Sequence, residues 1–291
     1  MKKKLLIFEI LISSLFFNGI IILGITYFIT YGEYRESFTF YYDSDAPNPV
    51  EKLRLYSDIV KFDVKYNMTP VDYYTKVEVH FDMHGPCIKG KSYLNYFQPI
   101  LWQNISNSIL FSLESFPSTE HDALNLFGKK NNAIIVTLRT DVMYDINIAS
   151  YEGDITMSVP NNVIVNQINF NTFSGNLSLI TNKAIFNEGL TLQAATGCIN
   201  LNFSDSRMGN FIKLITFTGD IDLYSYNMEY MEKCDWDLFS TSGDILVDII
   251  QRKEIRGKIS GTIETEEGNV YMNYEDNLKN VGARFNGDFF F

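Results

Sequence analysis

Three side chains around position 82 have the types and the spacing to bind a metal ion. His80, Asp82 and His84 stand two residues apart, and alternate residues of a β-strand share a face, so two imidazoles and a carboxylate would converge. A closed tetrahedral shell needs a fourth ligand, which the sequence does not specify. Any polar strand face produces the same series, so no metal site is assigned from it. A second set recurs along the chain: Asp154, Asp220, Asp244 and Asp288, with Asn176 and Asn269, each follow a glycine. Calcium between stacked carboxylates would relieve their repulsion. Turn chemistry accounts for the same residues without an ion, because Asp and Asn bond nearby backbone, and Cys198 interrupts the series. The expectation is therefore no cofactor, with calcium as the one candidate.

Other reactive groups form no constellation. Cys87, Cys198 and Cys234 are odd in number and unevenly spaced, which allows at most one disulfide, and no C-x-x-C pair is present to start a zinc cage. Nucleophile elbow, P-loop and zincin motifs are all missing, so no catalytic residue is assigned. Asn67, Asn104, Asn176 and Asn202 each open an Asn-x-Ser/Thr sequon, compatible with glycosylation outside the cell.

The elements that would position these side chains are set by a repeat. Gly153, Gly175, Gly197, Gly219, Gly243 and Gly268 follow one another at intervals of 22, 22, 22, 24 and 25 residues. The text around them recurs too, as in Phe173-Ser-Gly-Asn-Leu-Ser-Leu179 and Phe217-Thr-Gly-Asp-Ile-Asp-Leu223. A fixed period in the twenties marks a stacked architecture, in which one unit cannot bury its apolar side alone. Two residues after the glycines stand Ile155, Leu177, Ile199, Ile221, Ile245 and Val270; four after stand Met157, Leu179, Leu201, Leu223, Val247 and Met272. Five before, the column reads Ile148, Phe170, Leu192, Leu214, Leu238 and Ile263, and seven before, Ile146, Ile168, Leu190, Ile212, Trp236 and Gly261. Steps of two between apolar columns mean strands.

Each unit is read as a strand, a tight corner at Ser/Thr-Gly-Asp/Asn, a second strand and a looser return. The fold class expected is all-β, a parallel β-solenoid with rungs of about 22 to 25 residues. An array of β-hairpins is the rival, since Ser-Gly-Asp also caps antiparallel pairs, but it would not keep apolar columns in phase on both sides of the corner. Gly287-Asp-Phe-Phe-Phe291 repeats the corner once more and looks like a worn seventh unit.

The amino end carries a different signal. Met1-Lys-Lys-Lys4 precedes an apolar run, Leu5 to Tyr31, broken only by Glu9, long enough to span a bilayer as a helix. The apolar core is longer than that of a cleavable signal peptide, and no A-x-A-like site follows it. The rival is a buried helix of a soluble domain. With Lys2, Lys3 and Lys4 on the cytoplasmic side, the rest of the chain would lie outside. The segments are then 1–32, a transmembrane anchor; 33–54, a polar spacer; 55–145, a β-rich cap or irregular first rungs; and 146–291, the regular solenoid. The net charge of −11 argues against nucleic acid as a partner, and an acidic surface discourages edge-to-edge association.

The segment Ile135-Val-Thr-Leu-Arg-Thr-Asp-Val-Met-Tyr-Asp-Ile-Asn-Ile148, running into Gly153-Asp-Ile and the repeated Ser/Thr-Gly-Asp/Asn units, resembles the DUF4097 family of candidate adhesins. Val64-Lys-Tyr-Asn-Met-Thr-Pro-Val-Asp-Tyr-Tyr74 is also similar to the opening segment of envelope proteins of this type in archaea. The resemblance covers about residues 55–291 and implies a β-solenoid at the cell envelope, with no particular reaction. The function expected is a membrane-anchored, extracytoplasmic, structural or adhesive surface element. It would be held by residues 5–31 and face a surface glycan or a neighbouring envelope protein. The alternatives are a sensory or regulatory ectodomain and a carbohydrate-active β-helix enzyme.

Overall fold

The computed structural model describes residues 30–43, 49–58, 60–69, 71–85, 88–105, 108–116, 129–231, 233–253, 257–276 and 283–286, together with Ile21. In chain order the strands are β1 (Gly32–Tyr42), β2 (Glu51–Ser57), β3 (Lys61–Asn67), β4 (Thr75–Gly85), β5 (Leu101–Ile105), β6 (Ser108–Leu113), β7 (Lys129–Lys130) and β8 (Ala133–Arg139). The repeat region supplies β9 (Tyr144–Glu152), β10 (Ile155–Val159), β11 (Ile164–Ser174), β12 (Leu177–Asn182), β13 (Ile185–Thr196), β14 (Ile199–Ser204), β15 (Arg207–Met208) and β16 (Phe211–Thr218). It continues with β17 (Ile221–Tyr226), β18 (Glu229–Tyr230), β19 (Lys233–Ser242), β20 (Ile245–Gln251), β21 (Lys258–Glu267), β22 (Val270–Asp276) and β23 (Ala283–Asn286).

Two compact units are present, one made of Met1–Ser37, His80–Gln98 and Ser115–Asn132, the other of Phe38–Val79, Pro99–Glu114 and Ala133–Phe291. The second is the solenoid. One of its sheets runs β8-β3-β10-β12-β14-β17-β20-β22 and the other β23-β21-β19-β16-β13-β11-β9-β2-β6. Every neighbouring pair in these two series is parallel, which rules out the hairpin array. Antiparallel pairing occurs at β5 on β6.

The apolar columns lie one over another as their spacing requires. Ile155 pairs Leu177, Leu177 pairs Ile199, Ile199 pairs Ile221, Ile221 pairs Ile245 and Ile245 pairs Val270. In the facing sheet Ile148, Phe170, Leu192, Leu214, Leu238 and Ile263 form the matching file. All of these side chains are buried. Each fully buried Leu, Ile or Phe contributes about 1.5–3 kcal/mol relative to exposure, so the core comes from many equal increments and not from one dominant cluster.

β2 and β3 make an additional rung with no glycine between them. β2 lies between β6 and β9, and β3 between β8 and β10, so an early piece of the chain sits between two later ones. Leu53 and Leu55 join the files of Ile146 and Ile148, and Phe62 and Val64 those of Ile155 and Met157. The stretch 33–54, expected as a spacer, holds β1 and the start of β2. Its polar composition hides the alternation of Phe38, Phe40 and Tyr42, of which Phe40 packs on Trp102 and Phe111 and Tyr42 on Tyr74.

The looser return is a second defined corner. Asn162, Lys183, Asp205 and Asn227 all have positive φ, 64°, 50°, 46° and 49°, and each donates its backbone N–H to the next rung, as from Lys183 to Ser204 at 2.9 Å. Asn and Asp tolerate this left-handed region; for other residues it costs about 1–2 kcal/mol. Lys183 is thus the misfit of the column. Lys183→Asn is expected to raise stability by about 1 kcal/mol, read as a higher urea midpoint at unchanged slope; no gain would show that the corner is already relaxed.

The anchor expected at residues 5–31 falls, apart from Ile21, Thr30 and Tyr31, outside the described residues. Among the described residues no helix is long and apolar enough to cross a membrane. Gly287 to Phe291, the worn seventh unit, also lies outside them.

Candidate functional site

β4 alternates buried and half-buried residues, and on its stretch in the first unit His80, Asp82 and His84 share the outward side. The neighbouring face of β1 occupies them. Arg35 Nε donates to Asp82 Oδ1 at 2.9 Å and His84 Nε2 to the same oxygen at 2.7 Å, while Ser37 Oγ pairs His80 Nδ1 at 2.8 Å. The Arg35 guanidinium first, and His84 second, hold Asp82 below the usual carboxylate range. The arrangement is an ion-pair network between neighbouring strands, worth little in stability at this exposure. Among the described residues no three His, Cys, Asp or Glu side chains are grouped to hold a metal ion. Arg35 and Ser37 were hidden from sequence reasoning because β1 read as spacer.

In the solenoid, the residues that follow the glycines form a ladder of another kind. Asp154 Oδ1 accepts the backbone N–H of Asn176 at 2.7 Å, and Asn176 Oδ1 that of Cys198 at 2.9 Å. Asp220 Oδ1 accepts from Asp244, and Asp244 Oδ1 from Asn269, both at 2.8 Å. Each side chain reaches one rung along the axis and caps the next corner. This explains the Asp/Asn preference with no ion in the account. One place beside this ladder is electrostatically marked: partial burial, then the charge of Asp220, raises the carboxyl of Asp222. Asp288 lies outside the described residues.

Cys198 breaks the ladder, since a thiol is a weak acceptor in the place from which Asn or Asp would cap Asp220. Cys198→Asn is expected to stabilise the protein by about 0.5–1.5 kcal/mol, the net worth of one hydrogen bond. An unchanged unfolding midpoint would argue against the capping role.

Cys198 and Cys234 are both free thiols. Cys198 is half-buried, whereas Cys234 is buried and desolvation pushes its thiol up to about 12. Cys87 lies outside the described residues. In a Cys87→Ser variant, Ellman's reagent is therefore expected to titrate one thiol in the native protein and two in denaturant; two native thiols would contradict the burial of Cys234.

The outer face of the β2, β9 and β11 sheet carries the polar surface. Arg54, Asn147 and Asn169 stand side by side on successive rungs, as do Lys52, Asp145 and Gln167, and they line a shallow recess of about 220 Å³. Asp145 accepts from Asn166 Nδ2 at 2.6 Å. These groups can hydrogen-bond a polyol or an amide. Further along the same sheet, on β9, β11, β13 and β16, stands a column missed by the sequence reasoning: Tyr151, Phe173, Ala195 and Phe217, each two residues before a corner glycine. The glycine alignment would have shown it had outward columns been read with the inward ones. Among the sequons, Asn67 Oδ1 accepts from Thr69 Oγ1 at 2.8 Å, and Asn202 is exposed.

The family described as Toastrack DUF4097 matches residues 106–287, more than half of the chain. The chain belongs to this family. No curated protein matches it. Among solved structures, this DUF4097 protein is similar to a candidate cell adhesion protein from Clostridium sporogenes, at 10% identity and a TM-score of 0.44, over 87% of this chain and 100% of that one. It is similar also to a candidate adhesin from Bacteroides fragilis, at 11% identity and a TM-score of 0.40, over 87% and 96%. A third is a candidate lipid-binding protein from Parabacteroides distasonis, at 12% identity and a TM-score of 0.37, over 86% and 93%.

Proposed function

We propose that this DUF4097 protein is a non-enzymatic surface element of the cell envelope, held in the membrane by residues 5–31 with its amino end in the cytoplasm. Its solenoid then projects outside as a rigid adhesive face. The observation that carries this reading is the outward repetition: like polar side chains, Asn147 beside Asn169 and Asn171 beside Gln193, recur on parallel strands about 4.8 Å apart. Such a surface suits a repetitive partner, a glycan or a neighbouring envelope protein, because many weak contacts in phase add up. The acidic balance of the chain favours a neutral or cationic partner over an anionic one.

Two measurements test it. Protease added to intact cells is expected to remove a carboxy-terminal tag, and full protection of the tag would overturn the topology. Cells displaying the full chain are expected to bind a partner surface and to lose that binding when Asn147, Asn169 and Gln193 are replaced together by Glu. Adhesion equal to that of cells without the protein would sink the adhesive reading.

A further inference from the structure

The outward column at the corner contains a vacancy of defined width. Tyr151 and Phe173, on neighbouring rungs, stack with ring centroids 4.7 Å apart and planes 3° from parallel. The stacking direction is therefore along the solenoid axis, and the second face of Phe173 looks toward the next rung. There the column has Ala195, and Phe217 follows on the rung beyond, since Thr172 pairs Ala194 and Ala194 pairs Thr216. Phe173 and Phe217 are 52% and 60% exposed. They stand two strand spacings apart, about 9.6 Å, with one methyl group between them. Exposed aromatic rings that recur in one outward column mark a contact site.

We propose that the gap over Ala195 is a binding slot for one pyranose ring of a neutral glycan. This deepens the surface-element reading above and rests on it. A ring seated midway stands about 4.8 Å from each wall. A flat aromatic guest needs carbon contacts of about 3.5–4.0 Å, so it can meet one wall but not both. A sugar chair is thicker, and its axial C–H groups reach both rings at once. The rim favours a polyol as well: Asn171 and Gln193 project beside the slot on the same strands, and Thr196, Thr218, Asn176 and Asp220 line the corner next to it. Amides, hydroxyls and a carboxylate pair with sugar hydroxyls, and the carboxylate disfavours acidic sugars.

Saturation-transfer NMR of the full chain in nanodiscs, with cellohexaose, laminarihexaose and chitohexaose as probes, tests this directly. At least one probe is expected to receive transfer on its ring C–H protons. Phe217→Ala should weaken binding about ten-fold, by loss of one stacking wall. Ala195→Phe should complete the aromatic column, keep or raise the unfolding midpoint, and abolish the transfer, while Thr241→Ala in the same column leaves it unchanged. Absence of transfer to all three probes, or transfer that survives Ala195→Phe, overturns the slot. Concentration-dependent self-association lost in Ala195→Phe, with no sugar bound, would overturn it in favour of an aromatic side chain from a second copy. Adhesion of cells displaying the unaltered chain separates the two levels: if those cells adhere while none of the three probes receives transfer, the slot fails and the surface-element reading stands.

Discussion

Gly197→Ala is expected to destabilise the solenoid by about 3 kcal/mol or more, enough to consume much of the stability of an ordinary domain. Two costs add at this corner. The backbone has φ of +141°, a conformation nearly closed to residues with a Cβ. A Cβ placed there would also lie 2.1 Å from the carbonyl oxygen of Gly175 on the rung before. That carbonyl cannot step aside, because both glycines are fixed by N–H bonds to the following rungs, Gly175 to Thr196 at 2.9 Å and Gly197 to Thr218 at 2.8 Å. Gly90 supplies the control, having φ of +75° with open space around its Cβ position; Gly90→Ala should cost only about 1 kcal/mol. Urea unfolding of the two variants decides the matter, and equal losses would refute close stacking as the reason for glycine.

Trp236→Ala is the second large effect, expected at about 3–5 kcal/mol. The indole is 1% exposed and is the largest fully buried side chain among the described residues. Ile212 flanks it on one side of the file and Gly261 on the other; the Cβ position of Gly261 lies 1.8 Å from the Trp236 carbonyl oxygen, so on that side no side chain stands to relax into the space left behind. The cost of a truncation depends on how far its surroundings collapse, which places this site toward the upper end. Leu214→Ala, in a file with a leucine on either side, should cost less, about 2–3 kcal/mol. Chemical denaturation of both checks the order, and a Trp236→Ala loss below that of Leu214→Ala would contradict the argument.

The solenoid was legible because its causes are periodic. The corner glycines and the apolar columns at +2, +4, −5 and −7 all report the same stacking, so several independent signals agree. The rung of β2 and β3 was not legible as such. No glycine stands between β2 and β3, and their partners come from parts of the chain with no common text. The second corner escaped for a similar reason: Asn162, Asp205 and Asn227 are turn residues, but Lys183 breaks the series, and positive φ at a lysine has no compositional mark. His80, Asp82 and His84 were rightly placed on one strand face. What they face could not be read, since the pairing of β4 with β1 joins residues more than forty positions apart, as in Arg35 and Asp82. The corner Asp and Asn residues were identified by position, but their action on the following rung is visible only when the rungs are stacked.

The placement of β2 and β3 between later strands has a consequence for how the molecule is made. A nascent chain emerges amino end first, so residues 51–67 arrive with both of their long edges bare. Later coils close on partners 22 residues away, as Asp154 and Asn176 do, but Ser150 must find Val60 across 90 residues. Two doublings of loop length add only about 1.2 kcal/mol of closure entropy, yet such distant pairing slows assembly. The carboxy-terminal coils can therefore zip up by themselves, and insertion of the early rung becomes the kinetic bottleneck and the period of greatest exposure to misassociation.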